Sequence, residues 1–266
     1  MIIDIHTHTF PDALAARAVA VLAERSNVTP YADGTCMGLC ASMQRAGVDR
    51  SVVMPIATKP AQVRSINSWA VEINRSFEQL ICFGTIHPKQ DDWQSEIDLL
   101  VADGIQGVKF HPDYQEFFVD DAELMPVYNA LADAGLIVLF HAGVDIGLPP
   151  PVHCTPDRLV KVLDAVPGLI VIAAHMGGYA LWDDVHKYLA GRDIYLDTSY
   201  SMADLGTERM TELIRVHGTD KVLFGTDSPW TDQTAEVSGI RALPLKDDEI
   251  DAILGGNAEK LLLANA

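Results

Sequence analysis

Eight short, apolar, β-branched runs recur along the chain: IIDIH at 2–6, SVVMP at 51–55, ICFGTIHP at 81–88, GVKFHP at 107–112, LIVLFH at 136–141, LIVIAAH at 169–175, DIYLDTS at 193–199 and KVLFGTD at 221–227. Amphipathic segments such as DALAARAVAVLAER, AQVRSINSWAVEINRSFEQL, DDAELMPVYNALADAG, TPDRLVKVLDAV and TERMTELIRVHG lie between them, several opened by Asp, Thr or Pro in capping positions. Gly47, Gly104, Gly135 and Gly168 stand where a helix C-terminal glycine belongs. Near-continuous apolar strands alternating with amphipathic helices predict a parallel sheet covered on its faces. Eight such units in a chain of 266 residues predict a single-domain α/β fold, a (β/α)8 TIM barrel over 1–266. The C-terminal DDEIDAILGGNAEKLLLANA reads as helices that close it. An open doubly wound sheet is the fold alternative, but no G-x-G-x-x-G follows the first strand.

The net charge of −18 and pI near 4.7 argue against nucleic acid or an anionic membrane surface as partner and leave a small molecule. No charged-then-apolar leader and no apolar run of membrane-spanning length is present, which predicts a cytoplasmic protein. Cys36, Cys40, Cys82 and Cys154 lack the close spacing of a zinc ribbon or redox pair and read as buried thiols. Whether the chain forms a homo-oligomer is not legible.

In a barrel of this kind the reactive groups gather at the C-terminal ends of the strands. The residues that end the eight runs are His6 and His8, Pro55, His87, Lys109 with His111, His141, His175, Asp197 and Asp227. Six of the nine histidines close a strand or stand one residue beyond it, whereas only His186 and His217 fall in helical segments. Solvent-seeking histidines would favour the helices, so the set points to a shared task. In DIHTH, strand alternation places Ile3 and Ile5 on one face and Asp4, His6 and His8 on the other, so two imidazoles face one point. Imidazole nitrogen and carboxylate oxygen are ligands for a divalent metal, with Zn²⁺ the first candidate, and an open site needs three or four of them. His6, His8, His141, His175 and Asp227 supply that number. A bound divalent metal lowers the pKa of water to about 7, which is hydrolase chemistry, and Asp227 in GTDSP fits a base.

D-x-H-x-H, the lysine of GVKFHP, FHAG, AAHMGG and FGTDSPW together resemble the amidohydrolase superfamily, over nearly the whole chain. GTIHP, GVKFHP, AHMGG and GTDSPW more narrowly resemble its branch containing aminocarboxymuconate semialdehyde decarboxylase and related aromatic acid decarboxylases. The resemblance implies His6, His8 and His141 as metal ligands and Asp227 as ligand and general base. It implies for His175 either a second-metal ligand or the group that polarises substrate. In much of the superfamily the strand-four lysine is carboxylated and bridges two metals, whereas the narrower branch is typically mononuclear. Lys109 therefore stands as a metal ligand on the first implication, and one or two ions stay open.

Two activities follow. The first is metal-dependent hydrolysis of an amide, ester or lactone, with Asp227 shuttling the proton and His175 stabilising the oxyanion. The alternative is metal-dependent, non-oxidative decarboxylation of a small aromatic or unsaturated acid. A metal-binding barrel without catalysis is a third reading. Around this set, His87 and His111 read as turn residues or substrate contacts, and Asp197 as the support of a ligand histidine or a helix cap. Tyr114, Trp182 and Trp230 are candidate pocket walls. Lys59, Lys89 and Arg158 are, with Lys109, the basic residues of the mouth loops available to a substrate carboxylate.

Overall fold

The structure, a computed structural model, describes residues 1–264. Its strand segments are β1 (Ile3–Thr7), β2 (Arg50–Val53), β3 (Leu80–Cys82), β4 (Gly84–Thr85), β5 (Gly107–Phe110), β6 (Ile137–Phe140), β7 (Val171–Ala173), β8 (Tyr195–Asp197) and β9 (Val222–Leu223). Every pairing is parallel, in the orders β1-β2-β3 and β4-β5-β6-β7-β8-β9. β3 and β4 are one stave broken at Phe83, whose N–H still bonds to Val53 O at 3.0 Å. The ring closes between β9 and β1, where Ile5 N–H donates to Phe224 O at 2.8 Å and Asp227 N–H to His6 O at 2.8 Å. Eight staves in consecutive order that close on themselves make a TIM barrel and exclude the open sheet.

Two apolar layers hold it. One lies between the strands and the helices and includes Val53, Val108, Phe110, Phe140, Leu196 and Phe224. The other fills the barrel with side chains of the opposite parity, including Ile3, Ile5, Val52, Leu139, Ile172 and Leu223, and is joined by Ala258, Leu261 and Leu262 of helix Asn257–Ala264. The C-terminal helices therefore plug the end of the barrel away from the mouth, as the sequence predicts; Asn265 and Ala266 of that segment lie outside the described residues. The helices follow their sequence signals closely: Asp12–Ser26, Pro156–Ala165, and Cys36–Ala46 closed by Gly47 at φ 71°. In DDAELMPVYNALADAG the α-helix is confined to Met125–Asp133, because Pro126 suits a first turn and a short 3-10 segment precedes it. None of the described helices is long and apolar enough to cross a membrane.

The alternation read in DIHTH is half right. The pairing of β1 with β2 shifts register between Asp4 and Thr7, so that Ile5 and His6 both face the barrel interior. His6 and His8 keep a common face, but Asp4 turns the other way, into the seam between β1 and β9. There its carboxylate accepts from Thr226 Oγ1 at 2.6 Å, Thr226 N–H at 3.0 Å, His6 N–H at 3.2 Å and Gln233 Nε2 at 2.7 Å. This clamp fixes the backbone one residue before Asp227 and at His6 itself. Asp4→Ala leaves these buried donors without an acceptor, at about 1–3 kcal/mol each before relaxation. Its thermal unfolding is expected well below wild type, and a variant as stable as wild type would show that the clamp does not matter.

Candidate metal centre

Each mouth imidazole is fixed by what its second nitrogen touches. His6 Nδ1 donates to Asp197 Oδ2 at 2.9 Å, and His8 Nδ1 donates to the Met54 carbonyl at 2.9 Å. His175 Nδ1 donates to the Ser199 carbonyl at 3.0 Å. These bonds put a ring proton on Nδ1 and turn Nε2 toward the mouth, the nitrogen that carries the lone pair in that tautomer. His175 Nε2 lies 3.0 Å from His141 Nδ1, so His141 is the donor there and its own lone pair sits on Nε2. That His141 Nε2 has no hydrogen-bond partner among the described residues, although the residue is only 8% exposed.

Lone pairs consequently meet lone pairs. His6 Nε2 and His8 Nε2 are 3.2 Å apart, and Asp227 Oδ1 is 3.4 Å from the first and 3.1 Å from the second. Two bare imidazole nitrogens and a carboxylate oxygen at such distances repel one another unless a cation lies between them, and a divalent metal is the cation this donor set suits. His6, His8 and Asp227 form a compact candidate ligand group, and His111, His141 and Asp145 form another.

Burial, reinforced by the Lys109 ammonium, presses the His6 pKa down to about 3 against the pull of Asp197. Burial likewise holds His141 well below the ordinary imidazole range, so both rings are neutral and able to ligate. Burial alone would raise Asp227, but its imidazole neighbours, His8 first, outweigh it to the extent that they carry a proton, and a cation held among them would act in the same direction. Lys109 Nζ is 3.2 Å from His6 Nε2, and burial brings its pKa down to about 8 against the attraction of Asp197 and Asp227.

The six residues singled out from sequence for the metal or the chemistry come to one mouth. His6, His8 and Asp227 share a point, Lys109 adjoins it through His6, and the His175 ring centroid lies 5.3 Å from that of His6. His141 lies beyond His175, with ring centroids 4.8 Å apart, and groups by distance with His111 and Asp145 rather than with His6. His175 and Asp227 both sit in the left-handed backbone region, at φ 59° and 69°, a strained choice for side chains larger than glycine that aims them inward. At Gly225 the barrel wall is tight, since a Cβ there would stand 3.1 Å from His6 Cβ and push on the histidine.

Asp197 takes the supporting role rather than the cap. Besides His6 it accepts His175 N–H and Ser199 N–H, each at 3.0 Å, and it binds the Ser199 hydroxyl, which also touches His6 Nδ1 and His175 Nδ1. Asp197→Ala should lower metal affinity about 10- to 100-fold, the usual weight of a group that orients a ligand histidine. Competition with a chromophoric chelator measures this, and unchanged affinity would leave Asp197 a purely structural residue.

The lesser candidates divide. His87 accepts Lys89 N–H at 3.1 Å in a turn and does not line the mouth cavity. Tyr114 and Trp230 line it, whereas Trp182 lies behind it and donates to the His175 carbonyl at 3.1 Å. Lys59, Lys89 and Arg158 are absent from the lining; Lys89 pairs with Glu116 and Arg158 with Asp120. The cavity, about 590 Å³, is walled by Phe10, Trp69, Ile66, Tyr179, Tyr200 and other apolar or aromatic side chains above the polar floor.

Residues 3–263 match the family described as Amidohydrolase. No curated protein matches the chain. An uncharacterized TIM-barrel protein from Bordetella bronchiseptica is 20% identical at a TM-score of 0.76, over 98% of each chain. The 5-carboxyvanillate decarboxylase of Sphingomonas paucimobilis is 16% identical at 0.73, also over 98% of each chain. A dihydroxybenzoic acid decarboxylase from Polaromonas sp. JS666, solved with bound manganese and the inhibitor 2-nitroresorcinol, is 16% identical at 0.73, over 100% of this chain and 97% of the other. At such identities these likenesses establish the barrel.

Proposed function

This chain belongs to the amidohydrolase family, and from that premise we propose that it is a metal-dependent decarboxylase of a small aromatic or unsaturated carboxylic acid. The observation that carries the reading is the form of the cavity: flat aromatic walls above a floor where one ammonium, Lys109, adjoins the converging lone pairs of His6, His8 and Asp227. Such a space suits a planar, largely apolar body with one anionic end. The solved relatives that act on hydroxylated aromatic acids support the same choice over hydrolysis.

In this reading His6, His8 and Asp227 would hold one divalent metal with His141 as a further ligand, and His175, whose Nε2 meets His141 Nδ1, would position that ring rather than ligate. When bound, the metal supplies the positive charge that draws the acid in and steadies the negative charge that develops on the substrate. Lys109 adds its ammonium to the anion site as an uncarboxylated side chain. As the bond to the carboxylate breaks, CO2 leaves and the electron pair stays on the ring or enol carbon. Asp227 faces the cavity with 13% of its side chain exposed, and its carboxylate is placed to take a proton from water and pass it to that carbon. The acid anion and one proton thus become the unsubstituted product and CO2. Phe10, Trp69, Tyr200 and Trp230 keep bulk water from the reacting carbon.

Hydrolysis of an amide, ester or lactone is the second reading, favoured by the carboxylate base beside the imidazoles. Metal-loaded protein incubated in D2O with a panel of hydroxybenzoic and unsaturated acids should release CO2 and leave one deuterium on the carbon that lost it. Consumption of lactones or amides with no CO2 from any acid would establish the hydrolytic reading instead.

A further inference from the structure

The cavity wall carries a polar pair that the steps above do not use. His111, just past the end of β5, accepts Tyr114 N–H at Nδ1 over 3.3 Å, which puts its own proton on Nε2. Nε2 donates to Asp145 Oδ2 at 3.2 Å, and Asp145 Oδ1 accepts Gly147 N–H at 2.8 Å. The His111 ring lies flat on His141, centroids 4.0 Å apart and planes 9° from parallel, so it cannot swing away from the pair. Both members line the cavity. A carboxylate has about four acceptor positions; these neighbours fill two, and the Asp145 side chain is 11% exposed.

Charge on the wall is lopsided. Lys109 is the one Lys or Arg among the described lining residues, and it serves the floor beside His6. Arg25 is exposed and stands over Tyr114, 5.9 Å from its ring centroid, outside the lining. The two lining carboxylates are Asp227, at the candidate metal centre, and Asp145, beside His111. The cavity thus offers one place to an anion, at the floor, and at Asp145 a place that accepts hydrogen bonds and repels negative charge.

We propose that Asp145, held by His111, reads a hydrogen-bond donor on the substrate, so that the substrate is a monocarboxylic acid bearing a hydroxyl or amino group apart from its carboxylate, and a dicarboxylic acid on the same frame is rejected. The inference rests on the decarboxylase reading only in taking an acid as substrate.

The test measures binding and turnover separately. Metal-loaded wild type and Asp145→Asn are titrated with hydroxybenzoic acids, aminobenzoic acids, unsubstituted benzoic acid and benzenedicarboxylic acids, following tryptophan fluorescence, with CO2 release measured in parallel. A hydrogen bond to a charged acceptor should make the best hydroxy or amino acid bind about 10- to 100-fold more tightly than the dicarboxylic acid in wild type. Asp145→Asn, which keeps an oxygen for His111, should reduce that ratio to within about threefold. A dicarboxylic acid that binds wild type as tightly as its hydroxy counterpart, or a ratio that Asp145→Asn leaves unchanged, overturns the proposal. CO2 released equally from dicarboxylic and hydroxy acids overturns it while leaving decarboxylation in place. The expected binding ratio with no CO2 from any acid supports the proposal and removes the decarboxylase reading.

Discussion

Loaded with excess divalent metal and dialysed, His6→Ala and His8→Ala are expected to retain almost no metal and to show no measurable turnover, with the barrel intact. Each variant removes one of the two imidazole nitrogens that meet at Asp227 Oδ1, while the barrel-filling layer around Ile3, Ile5, Leu139 and Leu261 lies toward the other end of the strands. His6 is fully buried and touches Lys109, Asp197 and Ser199, so its loss disturbs the mouth more widely; His8, with 14% of its side chain exposed, is the cleaner substitution. Metal at about a thousand times its dissociation constant stabilises the folded state by about 4 kcal/mol. Chelation should therefore lower the wild-type melting temperature, and His8→Ala should melt near the chelated value whether or not metal is added. Full occupancy in both variants would place the metal elsewhere.

Asp227→Asn is the second large effect. The amide keeps the size of the side chain and one oxygen for the metal, but it cannot carry the proton. A fall in kcat of about two to four orders of magnitude, with metal partly retained, is the expected result. Single-turnover measurement on metal-saturated variant separates the lost proton transfer from lost metal. An active asparagine variant would move the proton carrier to another residue, with His175 the first to examine.

The architecture was legible because a barrel repeats its signals: eight apolar runs each end at the mouth, and the sequence order is also the spatial order. The convergence of His6, His8 and Asp227 was legible for the same reason, since these residues end or follow the runs that mark the strands. What escaped is what periodicity does not govern. The register shift in β1 sends Asp4 to the seam, away from the histidines it appears to accompany. The left-handed backbone at His175 and Asp227 is uncommon for any non-glycine residue, though His and Asp tolerate it better than most, and only the adjoining glycines and proline hint at turns there. Asp145 lies in a loop four residues beyond His141, where no spacing rule applies, and its pairing is with His111 from another stave. Ser199 looks like part of a capping run in DTS, and its contacts to both His6 and His175 exist only once β8 stands beside them.

Lys109 is where family-wide resemblance and local geometry point apart, because a carboxylated lysine bridges two metals whereas an ammonium beside His6 Nε2 serves one. Anomalous scattering from crystals of the metal-loaded protein, collected at the metal edge, tests this directly. The account predicts one ion per chain, bounded by Nε2 of His6, His8 and His141 and by the Asp227 carboxylate, with Lys109 unmodified. Two ions bridged by a carboxylated Lys109, or an ion that none of these four residues touches, would contradict it.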